Sequence, residues 1–416
     1  MITGPLEQRI ARMPAPDKIG PTSTRTRILS VDAVRGFALF GVLLVNMYNF
    51  GAYSPEWTGA IDRVFNGVMH SLFETKSLRL FSLLFGFGFA LQWARAMALD
   101  SGSLWFYFRR MCFLFLFGMA HALVYDGDIL MVYAALGLIL VLFRKAPGWI
   151  LIVLACLLLA AFPLGNLVHT PGEEEIALQL EEELPLETLR VGHPYLGSVR
   201  DVFEENTAAI PPQLWTDLHM PESSLAIFAM LLLGFCIGRS RIIDKKEPSI
   251  SLLSRVLGWG LGIGLGAAML EWWLSVKFGY AVYLVNNAPT GIRFLGDMLF
   301  AYGSTAMALG YGAGIVLLAR RQAWQTLLKP LQNTGRMALT VYLSGTLMFT
   351  SLFHGWGFGQ LYRLGPAATT AFAVLFFTLQ MIFCSWWLKR FRFGPAEWLW
   401  RSLTYLKLQP FRAPRP

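Results

Sequence analysis

Charge is scarce in this 416-residue chain: 15% of its residues are Asp, Glu, Lys or Arg, against 55% hydrophobic, and its mean hydropathy is +0.50. A soluble domain of that size would struggle to stay in solution, so lipid is the expected solvent. Cysteine is scarce too. Cys112, Cys156, Cys236 and Cys384 lie inside apolar runs with no CxxC pair and no His/Cys ligand spacing. That argues against a disulfide framework and a zinc site, leaves packing as their expected role, and gives no reason to expect a metal. A cleavable signal is lacking, because Met1 to Leu29 is polar, basic and without an apolar core, so the first span is expected to direct targeting. Neither an internal repeat nor a matching pair of Gly/Pro-interrupted spans is visible, which speaks against an inverted-repeat transporter.

What the chain does have is about ten apolar stretches of roughly bilayer length. Spans are expected over Asp32 to Phe50, Leu78 to Met97, Arg109 to Tyr125, Ile129 to Phe143, Trp149 to Val168, Ser223 to Arg239, Ile250 to Val276, Phe294 to Ala319, Met337 to Phe353 and Thr369 to Leu388. The expected fold is an all-α polytopic membrane bundle. The formal net charge of +9 does not indicate nucleic acid, since the basic residues form short clusters beside apolar runs. If Arg9, Arg12, Lys18, Arg25 and Arg27 hold the N-terminus inside, strict alternation puts the later basic clusters inside as well. Both termini are then cytoplasmic. Four regions follow: a cytoplasmic tail over 1–31, a five-helix block over 32–168, an acidic extracytoplasmic loop over 169–221, and a second five-helix block with a basic tail over 222–416. The loop, with Glu173 to Glu175 and Glu181 to Glu183, reads as a solvated cap permitting a short surface helix.

Ionisable groups within spans are costly unless paired, hydrated or functional, so they direct the search for a site. Asp32 and Arg35 share a helix face at a spacing of three and can pair with each other or hold a phosphate. Asn46 and Asn49, further along that helix, suit interhelical or substrate hydrogen bonds. His121 precedes the tight turn Asp126-Gly127-Asp128, where Asp128 is placed to cap the next helix and either carboxylate can fix the imidazole tautomer. His121 is the first candidate base, and His70, four residues before Glu74, the second. Arg293 and Asp297, with Tyr302 and Glu271, read as a rim ion pair or as part of an outward cavity shared with His121. Gly86 and Gly88 are expected to permit close helix packing. Arg336 opens the ninth span, and Trp398, Trp400 and Arg401 belong to an aromatic, basic segment that suits the headgroup region or the mouth beside Arg35 and Arg336.

Read in order, Asp32-Ala-Val-Arg-Gly36, Leu84-Phe-Gly-Phe-Gly88, His121 with Asp126-Gly-Asp128, Gly335-Arg-Met-Ala-Leu-Thr340 and Gly394-Pro-Ala-Glu-Trp-Leu-Trp-Arg401 resemble the YeiB-like membrane proteins, also called domain of unknown function 418. That family looks like a distant relative of the transmembrane acyltransferases. The resemblance implies an acyl group passed from cytoplasmic acyl-CoA, acetyl-CoA or a longer homologue, to a small-molecule or glycan acceptor on the far side. Acyltransferase-3 proteins place a catalytic histidine in the first span, whereas this chain has Asn46 at the comparable polar position, so that histidine mechanism does not carry over. On the acyltransferase reading Arg35, Arg336 and Arg401, with Asp32, gather cofactor phosphates. His121, oriented by Asp126 or Asp128, activates the acceptor, and Asn46, Asn49, Arg293 and Asp297 contact it. A membrane transporter or exporter, and a non-catalytic structural or sensory membrane protein, are the other readings. A homo-oligomer is left open, the bilayer is the expected partner, and nucleic acid is not.

Overall fold

A computed structural model describes residues 29–54, 56–97, 103–167, 185–219, 221–240, 249–279 and 288–412. Among them the chain is all helical, with one isolated antiparallel bridge, Phe391 to Arg412, in place of any strand. The first half contains α1 (Leu29–Tyr48), α2 (Ala60–Leu72), α3 (Lys76–Met97), α4 (Ser103–Ala122), α5 (Leu130–Leu140, extended by a 3-10 turn over Val141–Phe143) and α6 (Gly148–Gly165). A connecting region follows with α7 (Leu186–Arg190), a 3-10 turn (Pro194–Leu196) and α8 (Val199–His219). The second half contains α9 (Pro221–Arg239), α10 (Ile250–Phe278), α11 (Thr290–Arg320), α12 (Gln322–Arg336), α13 (Ala338–Phe353), α14 (Pro366–Trp387) and α15 (Pro395–Tyr405).

Among the described residues six segments are long and apolar enough to cross a membrane: α1, the stretch Ala60–Ala94 that includes α2 and most of α3, and helices α6, α10, α11 and α14. This is a multi-pass membrane protein. Shorter apolar helices cover Leu130–Phe143, Ser224–Arg239 and Ala338–Phe353. Helices α10 and α14 turn much of their apolar surface outward, as lipid-facing helices do, with Trp259, Met269 and Trp272 on one and Leu375 and Ile382 on the other exposed. Cys156 is likewise exposed and Cys384 buried, so packing accounts for the second of these cysteines and not the first.

Backbones approach closely where glycines permit it. A side chain at Gly86 would collide with the Leu231 carbonyl, and one at Gly234 with that of Leu83, which locks α3 against α9. Gly88 departs from the packing expectation: nothing lies within 4 Å of the position its Cβ would take. A second close pair joins α1 and α12, with Gly36 on the Leu331 carbonyl and Gly335 on that of Asp32. Residues 322–336, a basic cytoplasmic loop by the hydropathy reading, are thus a helix held along α1. Its polar face with Gln322, Gln325 and Lys329 hid it from a search for apolar runs. Helix α2 was hidden for the same reason.

The acidic region is also more ordered than a solvated loop. Its helices α7 and α8 cover one end of the bundle: the Leu186 amide donates to Glu56 (2.8 Å), the Gly355 amide to the Tyr195 carbonyl (2.8 Å) and Asn206 Nδ2 to the Leu123 carbonyl (3.1 Å). Arg190 donates to the carbonyls of Leu361 and Gly359. Glu173 to Glu175 and Glu181 to Glu183 lie outside the described residues.

Candidate functional site

The close packing of α1 on α12 brings Asp32, Arg35 and Arg336 to one end of the bundle, and α15 folds back across that end to add Arg401. All four line a single cavity of about 280 Å³. Arg35 Nη1 donates to Asp32 Oδ1 at 2.9 Å and to the Gly335 carbonyl at 3.3 Å, so the pair expected from sequence forms and is tied to α12.

A fourth arginine, Arg110 of α4, joins them and was missed in the sequence because it read as a loop-side cation. Its guanidinium stacks on Trp400 at 3.7 Å from the ring centroid, an interaction worth on the order of 1 to 2 kcal/mol when partly desolvated. Among the described residues Arg110 has no carboxylate partner, and Arg401 and Arg35 are near enough to repel it. The opposing carboxylates are already engaged. Asp32 is held by Arg35. Glu397, buried, accepts the amides of Leu339 (2.6 Å) and Thr340 (3.1 Å) and the Thr340 hydroxyl (2.6 Å), capping the first turn of α13. Burial pushes the Glu397 carboxyl above its ordinary range, while those hydrogen bonds pull it back. Four guanidinium groups facing two occupied carboxylates leave an excess of positive charge, which suits a phosphate-bearing ligand.

Beyond the arginines the walls turn apolar: Leu39 and Val42 of α1, Phe81, Phe85 and Phe89 of α3, and Met111 of α4. Gly88 belongs here, its missing side chain leaving space in the cavity. The polar groups on these walls are mostly satisfied, Tyr133 by Ser82 at 2.8 Å and Tyr107 by the Gly137 carbonyl at 3.1 Å. The exception is Tyr342, which lines the cavity with only the Ile129 backbone beside its buried hydroxyl.

Tyr342 stands between the cavity and His121, their ring centroids 4.8 Å apart. His121 is buried, with Nδ1 2.7 Å from Asp128 Oδ1 and Nε2 2.7 Å from Thr346 Oγ1. The tautomer follows by elimination. Asp128 Oδ2 already accepts the Met131 amide at 2.9 Å, so an ionised Asp128 accepts Nδ1–H through its other oxygen. Nε2 is then the acceptor and the Thr346 hydroxyl its donor, giving a hydroxyl, an imidazole and a carboxylate in series. Asp128 thus performs both tasks the sequence suggested, capping α5 and orienting His121. Asp126 instead reaches toward Tyr195 of the covering segment. Thr346 carried no sequence signal, being 225 residues from its partner. It is the ninth residue of the sixteen-residue α13, and it meets His121 in the last turn of α4.

The remaining candidates do not converge on this place. Asn46 borders a void of about 10 Å³ with Tyr342 and Gly345, and Asn49, exposed, reaches the Tyr125 hydroxyl. His70 bonds Glu74 at 2.5 Å and lies 3.5 Å from Glu271, away from the cavity walls. Asp297 accepts from Asn166 Nδ2 at 2.9 Å, Arg293 is half-buried one turn earlier, and the Tyr302 hydroxyl donates to the Cys156 carbonyl at 2.8 Å. None of these lines the cavity. Arg293 and Asp297 lie apart from the arginine-mouthed cavity, where α11 packs its Asp297 side against α6.

A family model described as "Protein of unknown function (DUF418)" matches residues 237–407. The uncharacterized protein YxaH of Bacillus subtilis (strain 168) is 31% identical over 412 residues, covering 94% of this chain and 97% of its own length. The uncharacterized protein YeiB of Escherichia coli (strain K12) is 30% identical over 417 residues, covering 91% and 96%. An uncharacterized 39.9 kDa protein in the amylase 3' region of Bacillus acidopullulyticus is 27% identical over 393 residues, covering 94% and 97%. No solved structure matches. With its glycine-locked helices, its arginine-mouthed cavity and relatives aligned from end to end, the chain belongs to the YeiB-like family of membrane proteins of unknown function, DUF418.

Proposed function

We propose that the protein is an acyl-CoA-dependent acyltransferase of the bacterial cytoplasmic membrane. The observation that carries the reading is one cavity with arginines at its mouth, apolar walls along its length and Tyr342, backed by His121, at its far side. A volume of about 280 Å³ is near the lower limit of small-molecule sites, of the size of an acetylated thiol arm, while the nucleotide stays at the mouth and a longer chain requires the walls to part. Arg35, Arg110, Arg336 and Arg401 hold the phosphates there, and the phenylalanines of α3 enclose the acyl chain. His121 takes a proton from the attacking hydroxyl or amine and returns it to the departing sulfur, with Asp128 supporting the transient imidazolium. The arginine end is cytoplasmic on this reading, and the end covered by α7 and α8 faces outward.

Titration calorimetry of purified protein with acetyl-CoA and palmitoyl-CoA tests it. Arg110→Ala and Arg336→Ala are expected to weaken binding at least tenfold, about 1.4 kcal/mol each. Absence of binding to either donor in the wild type overturns the proposal. Substrate accumulation in sealed vesicles without consumption of acyl groups would favour a transporter instead.

A further inference from the structure

We propose that Thr346 is the nucleophile that accepts the acyl group, so that transfer proceeds through an acyl-threonine; the inference rests on the acyltransferase reading and assigns its covalent step. The geometry is that of an activated hydroxyl. Thr346 Oγ1 is 2.7 Å from His121 Nε2, and His121 Nδ1 is 2.7 Å from Asp128 Oδ1. Both distances are within hydrogen-bond reach of a working nucleophile, base and orienting carboxylate. The weaker alternative acceptor for the same hydroxyl, the Tyr342 carbonyl, is 3.4 Å away, so the imidazole holds the stronger claim. A purely structural threonine in a transmembrane helix satisfies its hydroxyl on its own helix. Thr350, one turn further on, does so with the Thr346 carbonyl at 2.8 Å.

Two further features place an acyl carbonyl beside this hydroxyl. Tyr342 is four residues earlier on α13 and therefore on the same helix face. Its hydroxyl is buried with only the Ile129 backbone beside it, and its side chain walls both the arginine-mouthed cavity and the 10 Å³ void that borders Gly345. Thr346 itself lines neither space, so on this proposal the Tyr342 ring turns aside to bring the acyl end of the cavity to it. That turn also leaves the phenol free to donate to the carbonyl oxygen as negative charge develops there.

The step balances without an oxidant or a metal. Thr346 Oγ1 attacks the thioester carbonyl carbon while His121 Nε2 takes the hydroxyl proton. The C–S bond breaks as the C–O ester bond forms, and His121 returns its proton to the departing sulfur, which leaves as a thiol. The acceptor hydroxyl or amine then attacks the ester, His121 takes that proton, and the Thr346 oxygen recovers it.

The test is acid-quenched peptide mass spectrometry of protein in lipid nanodiscs, incubated with palmitoyl-CoA without acceptor and, in parallel, with p-nitrophenyl palmitate. Wild type and Thr346→Ser are expected to carry an acyl mass on residue 346 with both reagents. Thr346→Val and His121→Ala are expected to lose it at least a hundredfold while retaining palmitoyl-CoA affinity, which separates lost chemistry from lost binding. An acyl mass that persists in Thr346→Val, or a Thr346→Val variant that transfers to acceptor at the wild-type rate, overturns the nucleophile and leaves the acyltransferase reading standing. Failure of the wild type to bind palmitoyl-CoA overturns that reading, and the nitrophenyl ester then decides Thr346 alone: labelling at residue 346 supports its reactivity and no labelling refutes it.

Discussion

Replacing Asp128 separates the structural and electrostatic parts of the buried trio. Its two oxygens serve two donors, the Met131 amide at 2.9 Å and His121 Nδ1 at 2.7 Å, in a place almost without solvent. Asp128→Ala removes a helix cap worth about 1 kcal/mol and orphans a buried N–H at a further cost of roughly 1 to 3 kcal/mol, about 2 to 4 kcal/mol in all. Asp128→Asn keeps the shape but only one acceptor, setting its NH2 against the second donor, so it is expected to cost about 1 to 3 kcal/mol. The cleanest evaluation is a double-mutant cycle of Asp128→Ala with His121→Phe, since removing the imidazole abolishes the orphaned donor. The coupling should be about 1 to 3 kcal/mol, read from the unfolding free energy of nanodisc-reconstituted protein. Additivity within about 0.5 kcal/mol would refute the bond between these residues, and with it the elimination that assigns the tautomer.

Other consequences can be checked independently. Gly86→Val forces a branched side chain onto the Leu231 carbonyl and should destabilise the protein by about 1 to 3 kcal/mol, whereas Gly88→Val should leave thermal unfolding nearly unchanged and weaken acyl-CoA binding by filling the cavity; equal effects on stability would contradict the packing. Tyr342→Phe should leave donor affinity within twofold and lower turnover about a hundredfold, the size expected for one lost oxyanion donor; unchanged turnover removes the phenol from the reaction. At the covered end, burial holds the His354 imidazole down to about 4, with His193 nearby lowering it further. Because an unfolded histidine titrates near 6.5, the folded state binds fewer protons between these values, so stability is complete above about pH 6.5 and falls as pH drops toward 4, by about 3 kcal/mol at most. Proteolysis of the α7 to α8 segment should therefore accelerate between pH 7 and pH 5 in the wild type and much less in His354→Asn; equal acceleration refutes the assignment.

Local patterns in the sequence carried a good part of this site. Asp32 with Arg35, and His121 with Asp128, are near neighbours in the chain, so helix periodicity and one tight turn were enough to pair them. Gly86 was readable as a packing glycine, but nothing in the same motif distinguished it from Gly88, since which glycine meets a neighbouring backbone depends on how α9 crosses. Arg110, Tyr342, Thr346 and the capping role of Glu397 were illegible for the same reason: each acquires its meaning from a residue dozens to hundreds of positions away. Helices α2 and α12 escaped because a hydropathy search looks for continuous apolar runs, and an amphipathic helix has none. His70 and Asp297 meet their partners, Glu74 and Glu271 for one and Asn166 for the other, in a corner of the bundle that sequence spacing alone did not place.

The most direct test of the account is chemical protection at Gly88, where a cysteine has room and would project into the cavity. In a background with Cys112, Cys156, Cys236 and Cys384 replaced, maleimide labelling of Gly88→Cys should be slowed at least tenfold by palmitoyl-CoA, and the protection should be lost on adding Arg110→Ala. Labelling at an unchanged rate under saturating palmitoyl-CoA would contradict the claim that this arginine-mouthed cavity is where the protein receives an acyl chain.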